Sequence, residues 1–182
     1  MSRLPLQDFL LLAICALKAT QGFAAEERRP LSYSCSDERF LSVSASTSDR
    51  SSIPSVELTL TDPSLRTQGR EAHGDQIPTA RYGEIAEIPK QPQSSKALAV
   101  EVCNAEIGVY EIKMSEHGSS HYSLTVQGEN GTSSESLLLH HISQEGRTRR
   151  YRFVLKTTNG KLSLRWLDSE GHEHMRIENS DW

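Results

Sequence analysis

The residues best suited to chemistry are two histidine pairs, His140-His141 and His172-Glu173-His174, the second of which puts two imidazoles on one side of an extended segment. Imidazole is the commonest metal ligand and the one side chain that titrates unassisted between pH 5 and 8. A transition-metal centre needs three or four converging ligands held by outer partners. Spacing alone brings only two imidazoles together here, so the sequence assembles no metal site and calls for no cofactor.

A second group lies at Asp62, Arg66, Arg70, Glu71, His73 and Asp75. It lacks the alternating oxygen ligands ending in glutamate that a calcium loop requires. The four-residue step from Asp62 to Arg66 suits a salt bridge that organises a turn, contributing under about 1 kcal/mol if exposed. Arg81 and Tyr82 join Asp62, Arg66, Arg70 and His73 as candidate binding residues. Neither a Gly-Xaa-Ser-Xaa-Gly elbow, a phosphate loop, a dinucleotide fingerprint nor a zinc-protease helix is present. No catalytic residue is assigned. The only basic run, Arg147-Thr148-Arg149-Arg150-Tyr151-Arg152, reads as the guarded edge or solvent face of a strand, with an acidic glycan or lipid headgroup as the sharper alternative. Asn130-Gly131-Thr132 matches a glycosylation acceptor, but a hairpin turn accounts for it.

The elements that would position these residues are strands. Leu41, Val43 and Ala45 alternate with serines, and Val56, Leu58 and Leu60 alternate with polar residues, the period of a sheet with one wet face. The same alternation recurs at Leu98-Val100-Val102, Tyr110-Ile112-Met114 and Tyr122-Leu124-Val126, which read as successive hairpins. Leu137–Ile142 supplies a further strand. One of its histidines turns inward: His141 if Leu137 and Leu139 face the core, His140 if Leu138 and Ile142 do. Tyr151, Phe153 and Leu155 can pair with Leu162, Leu164 and Trp166 across Asn159-Gly160, a dipeptide that accepts the positive φ angles of a tight hairpin. Met175 and Ile177 suggest a short last strand. About eight strands and no helical period predict an all-β fold, an antiparallel β-sandwich, with a closed barrel as the alternative. Between 62 and 94 seven prolines and glycines leave little room for a long strand, so this segment reads as a long loop and the first place to seek a binding surface.

Residues 1–24 read as a cleaved signal peptide: Arg3 precedes the apolar run Phe9–Leu17, too short for the ~20 residues of a membrane span, and small residues follow at Gly22-Phe23-Ala24. The whole chain has 182 residues and a net charge of −4; without the leader 18 basic and 23 acidic residues remain, a net charge of −5. That balance argues against nucleic acid as a partner, since phosphate binding needs a basic surface. A polar tail, 25–37, then leads into one domain, 38–182. An oxidising compartment favours a disulfide between the two remaining cysteines, Cys35 and Cys103.

The order of local patterns resembles a β-sandwich type of secreted bacterial proteins of unassigned function. The matching stretches are Asp62–Gly69, Ile77-Pro78-Thr79-Ala80-Arg81-Tyr82, Gly108–Ile112 and Tyr122–Val126, within residues 56–128. Relatives of that type often carry glycine where this chain has Leu65, which implies a first turn of different shape. The resemblance implies an extracytoplasmic sandwich and carries over no catalytic residue. The function expected is therefore that of a secreted or periplasmic, non-enzymatic module binding a protein or glycan. The alternatives are a metal-dependent or hydrolytic extracytoplasmic enzyme built on the histidines and loop carboxylates, and a structural subunit of an envelope assembly.

Overall fold

The structure, a computed structural model, describes residues 35, 39–47, 55–70, 72, 76–85, 97–119, 121–142 and 144–176. In chain order the strands are β1 (Phe40–Thr47), β2 (Val56–Thr61), β3 (Thr67–Gly69), β4 (Ala80–Ile85), β5 (Ala97–Cys103), β6 (Gly108–Glu116), β7 (His121–Asn130), β8 (Ser133–Ile142), β9 (Thr148–Thr158), β10 (Lys161–Leu167) and β11 (Glu173–His174). They form two antiparallel sheets, β4-β5-β1-β7-β8 and β11-β10-β9-β6-β2-β3. Among the described residues there is no helix, and none therefore that is long and apolar enough to cross a membrane.

One core lies between the sheets. The period-two pleat sends Leu41, Val43 and Ala45, Leu98, Val100 and Val102, and Tyr122, Leu124 and Val126 inward from the five-stranded sheet. Leu58 and Leu60, Tyr110, Ile112 and Met114, Phe153 and Leu155, and Leu164 and Trp166 meet them from the other. Aromatic rings occupy the middle: Tyr110 stacks on Phe153 with centroids 5.2 Å apart, and Trp166 meets Phe153 edge-on at 6.2 Å. Each such side chain, fully buried, contributes about 1.5–3 kcal/mol.

The turn at Asn159-Gly160 has φ values of 52° and 74°, the double left-handed step that joins β9 to β10 with Leu164 opposite Leu155 and Trp166 opposite Phe153. The hairpin of β7 and β8 pairs Asn130 with Ser133. Its Asn130 Oδ1 accepts from the backbone N–H groups of Thr132 and Ser133 and from both of their hydroxyls.

Several expectations need correction. The strands β5, β6 and β7 are not a meander, because β5 and β7 lie in one sheet and β6 in the other; alternation marks a buried face without saying which sheet shares it. Within 62–94, β3 pairs with β2, and β4 runs beside β5 over six residues. The prolines and glycines flank these strands rather than excluding them. The strand part of the basic run, 148–152, lies on β9, an inner strand between β6 and β10, so of the two readings the outward face holds and the edge does not. Its arginines are spent on Glu116 (Arg149), Glu111 (Arg150) and the Asp168 carbonyl (Arg152). The last described strand is Glu173–His174; of the residues expected to form one, Met175 is exposed and outside it, and Ile177 lies outside the described residues.

Candidate functional site

The turn 62–66 is built by one side chain. Asp62 Oδ1 accepts from the backbone N–H groups of Ser64 (3.0 Å) and Arg66 (2.8 Å), and Oδ2 accepts from Arg66 Nε at 2.7 Å. The expected Asp62–Arg66 salt bridge is present, but its carboxylate is buried rather than exposed. Arg66 also pairs with Glu106, whose other oxygen accepts from Ser64 Oγ at 2.8 Å. Hydrogen bonding to Asp62, then to Glu106, holds the Arg66 guanidinium more firmly protonated than usual.

Pinning this turn onto the start of β6 brings Gly108 against Pro63. Gly108 has φ 145°, and a Cβ there would lie 2.8 Å from the proline ring, so only glycine permits the approach. The Tyr110 hydroxyl donates to the Glu106 carbonyl at 2.8 Å, and burial pushes its pKa up, with Asp62 and Glu106 adding to the effect.

Across from the turn, the end of β5 and the start of β4 supply a second wall. Thr79 Oγ1 bonds the Cys103 carbonyl, and Asn104 takes a left-handed φ of 57°. Between the walls lies a cleft of about 190 Å³ lined by Asp62, Arg66, Thr79, Asn104, Glu106 and Tyr110, with Ile77, Pro78 and Val102 as its apolar part. The volume suits a single side chain. Beside the cleft three aliphatic residues face solvent: Leu65, 83% exposed, with Ile107 and Val109 at 44% and 45%. Leu65 holds φ at 63°, the left-handed region that glycine enters without cost. The turn therefore has a glycine-like backbone at Leu65 and displays a large apolar side chain from it.

Of the sequence candidates, the structure places Asp62 and Arg66 in this cleft and leaves Arg70, Arg81 and Tyr82 outside its lining. Arg70 pairs with Glu57 at 3.2 Å. Arg81 is exposed on β4 opposite Glu101, and Tyr82 packs partly against the core. His73 falls outside the described residues. Glu106 and Asn104 were not singled out from sequence, and Tyr110 was read only as a core residue of its strand; Glu106 precedes its strand as an unremarkable acid, and only the fold brings it to Arg66.

The histidines separate. His172 Nδ1 and His174 Nε2 lie 3.2 and 3.0 Å from the same oxygen of Asp168, whose other oxygen caps the turn by accepting from the N–H groups of Glu170 and His172. Hydrogen bonding from His174 first, then from His172, depresses the Asp168 pKa. His140 points outward and meets Ser123 Oγ at 2.9 Å. Leu137 and Leu139 are the buried pair, so His141 is the histidine that turns in. Among the described residues, no group of three or more His, Cys, Asp and Glu side chains is arranged to hold a metal ion.

At the opposite end from the cleft lies a buried polar hub that sequence reading missed. Glu116, 1% exposed, accepts through Oε1 from Arg149 Nε at 3.0 Å and Tyr122 OH at 3.1 Å, and through Oε2 from the Gln144 N–H at 2.6 Å. Its backbone continues the clamp, with Glu116 N–H donating to the Arg147 carbonyl and Gly146 N–H to the Glu116 carbonyl. His141 Nε2 stands 3.9 Å from the same carboxylate, too far for a hydrogen bond. Burial lowers the His141 pKa, and Arg149 and Arg147 lower it further against the pull of Glu116. The faint signal was a glutamate on the inward parity of β6, continuing Tyr110, Ile112 and Met114.

The disulfide between Cys35 and Cys103 forms, with Cα atoms 5.8 Å apart. The fold and its cleft define an all-β, two-sheet protein with a small concave site at one end. Comparison with protein-family models, with curated proteins and with solved structures returns no match, so the chemistry of that site alone carries its interpretation.

Proposed function

We propose that this chain is an exported, non-enzymatic binding module, and that its ligand is a protein docking on the end of the molecule formed by turn 62–66, residues 76–79 and residues 104–109. In this reading residues 1–24 direct export, and the mature domain works in a secreted or periplasmic setting, where the Cys35–Cys103 bond is stable. The observation that carries it is Leu65. A leucine held at positive φ and turned to solvent costs the folded state about 1–2 kcal/mol, and backbone strain of this kind clusters at functional sites. Ile107 and Val109 extend the apolar surface, and the cleft beside them suits one inserted side chain, the anatomy of a small interface centre with a polar surround.

A protein is favoured over a glycan by the lack of exposed stacking surfaces among the described residues. Sugars bind largely by laying their C–H faces on open aromatic rings, and among the described residues no phenylalanine, tyrosine or tryptophan is exposed. The test is affinity capture from the native secreted or envelope fraction, then titration of the captured partner against wild type and Leu65→Gly. Replacing the strained leucine by glycine should leave the protein as stable or more so, by up to about 1 kcal/mol. The same change should weaken partner binding about tenfold or more, the loss expected of an interface anchor. A partner that binds Leu65→Gly and Ile107→Asp as tightly as wild type would sink the assignment.

A further inference from the structure

The described strands that end the two sheets are β4, β8, β11 and β3, and β8 is the one left unguarded. β3 and β11 are three and two residues long, and β4 carries Arg81 and Glu84 over its six residues; shortness and charge are how natural sheets blunt their edges. β8 runs for ten residues. It pairs with β7 residue for residue from Ser133 to Ile142, with no bulge to turn the edge away. Its one acid, Glu135, is spent on Arg165 and the Leu164 N–H of β10. The stretch that follows, 136–142, holds no lysine, arginine, acid, proline or glycine, and no described strand pairs with its outer edge. Leu137 and Leu139 face the core, whereas Ser136, Leu138, His140 and Ile142 face solvent, with Leu138 51% and Ile142 54% exposed.

We propose that this edge joins a second copy of the chain, β8 to β8 and antiparallel, so that the two five-stranded sheets run on as one across a dimer. The outward row argues for this occupant. Leu138, His140 and Ile142 read apolar, imidazole, apolar in either direction, so an antiparallel copy centred on His140 sets Leu138 of each chain against Ile142 of the other. Directly opposed side chains of an antiparallel pair lie about 4.5–5.5 Å apart, which covers both exposed aliphatic residues at once. Neither carboxylates nor lysines or arginines meet across 138–142. Opposed residues keep the same parity, so the inward face of each sheet continues into the inward face of the other. A two-fold pairing uses the same edge on both copies and closes at two, because the far edge of the sheet is the charged β4. His141 lies beside the Glu116 hub, at the end away from the cleft, so the dimer leaves both clefts open. For the binding role proposed above, two clefts on one particle supply avidity.

The test is sedimentation equilibrium of the exported chain with its disulfide intact, from about 2 to 200 μM, the span in which a small interface associates. Wild type should pass from the mass of one chain to that of two. Leu138→Lys/Ile142→Lys changes only solvent-facing side chains, so it should keep the wild-type circular dichroism and urea midpoint while moving that transition to about tenfold higher concentration or more. The mass of one chain throughout overturns the proposal, as does a dimer that the two lysines leave unchanged or an assembly that grows past two. If the lysines unsettle the fold, hydrogen exchange of wild type decides. The amides of 138–142 should exchange more slowly at the high concentration than at the low, with those of β4 unchanged, and equal rates refute the pairing.

Discussion

The buried Glu116 carboxylate accepts three hydrogen bonds, joining β6 to Tyr122 of β7, Arg149 of β9 and the turn after β8. Removing one partner of a buried ion pair leaves the other charge uncompensated, which typically costs 3–5 kcal/mol. Glu116→Gln keeps the shape and loses the charge, so it should destabilise the protein by about 3 kcal/mol, measured as a lowered midpoint in urea unfolding at pH 7. His141, beside this hub, sets a pH dependence of definite sign. Its folded pKa lies below 6.5, so in that window the unfolded chain binds the proton more readily and stability rises with pH. The stability tied to a neutral His141 is fully present above pH about 6.5 and is lost as pH falls towards the folded value. Urea midpoints between pH 7.5 and 5 should fall less steeply for His141→Gln than for wild type; parallel curves would exclude this histidine. Neither residue was legible as part of a hub. The alternation of Leu137, Leu139 and His141 offered the inward orientation as one of two choices, and the contact with Glu116 needed the fold.

Among the elements, β10 shows how an edge is closed. It pairs with β9 along its length but with β11 only at Trp166 and Leu167, leaving earlier N–H groups on a free edge. Side chains of β8 take those donors: Leu162 N–H bonds Ser133 Oγ at 2.8 Å, and Leu164 N–H bonds Glu135 Oε2 at 2.6 Å, with Arg165 pairing to Glu135. Gly128 on β7 permits the closeness, since a Cβ there would lie 2.7 Å from Leu162 Cδ2. An unpaired strand edge is a template for association. The double substitution Ser133→Ala/Glu135→Ala should therefore cost about 2 kcal/mol, speed hydrogen exchange at the Leu162 and Leu164 amides, and promote self-association seen by light scattering. Unchanged exchange at both amides would show that the stitch does not hold the edge. Strand existence was read well from alternation at β1, β2 and β5–β10. The short β3 and β4 were not, because a three-residue strand has no period and Ala80–Ile85 holds its place by pairing with β5, a partner that begins seventeen residues after β4 does.

For the molecule as a whole, the Cys35–Cys103 bond joins points 68 residues apart in sequence. In the chain-entropy view a loop of this length is worth about 4 kcal/mol. Cys35→Ser/Cys103→Ser should lose that much stability by urea unfolding, with the same two sheets by circular dichroism; a loss under about 1 kcal/mol would show that the reduced chain is already held together here. Local sequence determined the all-β class, the inward and outward faces, the Asn159-Gly160 hairpin, the Asp62–Arg66 turn and the cysteine pair. Each depends on residues a few positions apart or on a choice among very few partners. Only tertiary structure decided which sheet each strand joins, that Glu106 closes on Arg66 to form a cleft, and that Glu116 gathers a buried hub. Those outcomes depend on contacts between residues distant in the chain, and an alternating pattern records that a face is covered without recording what covers it.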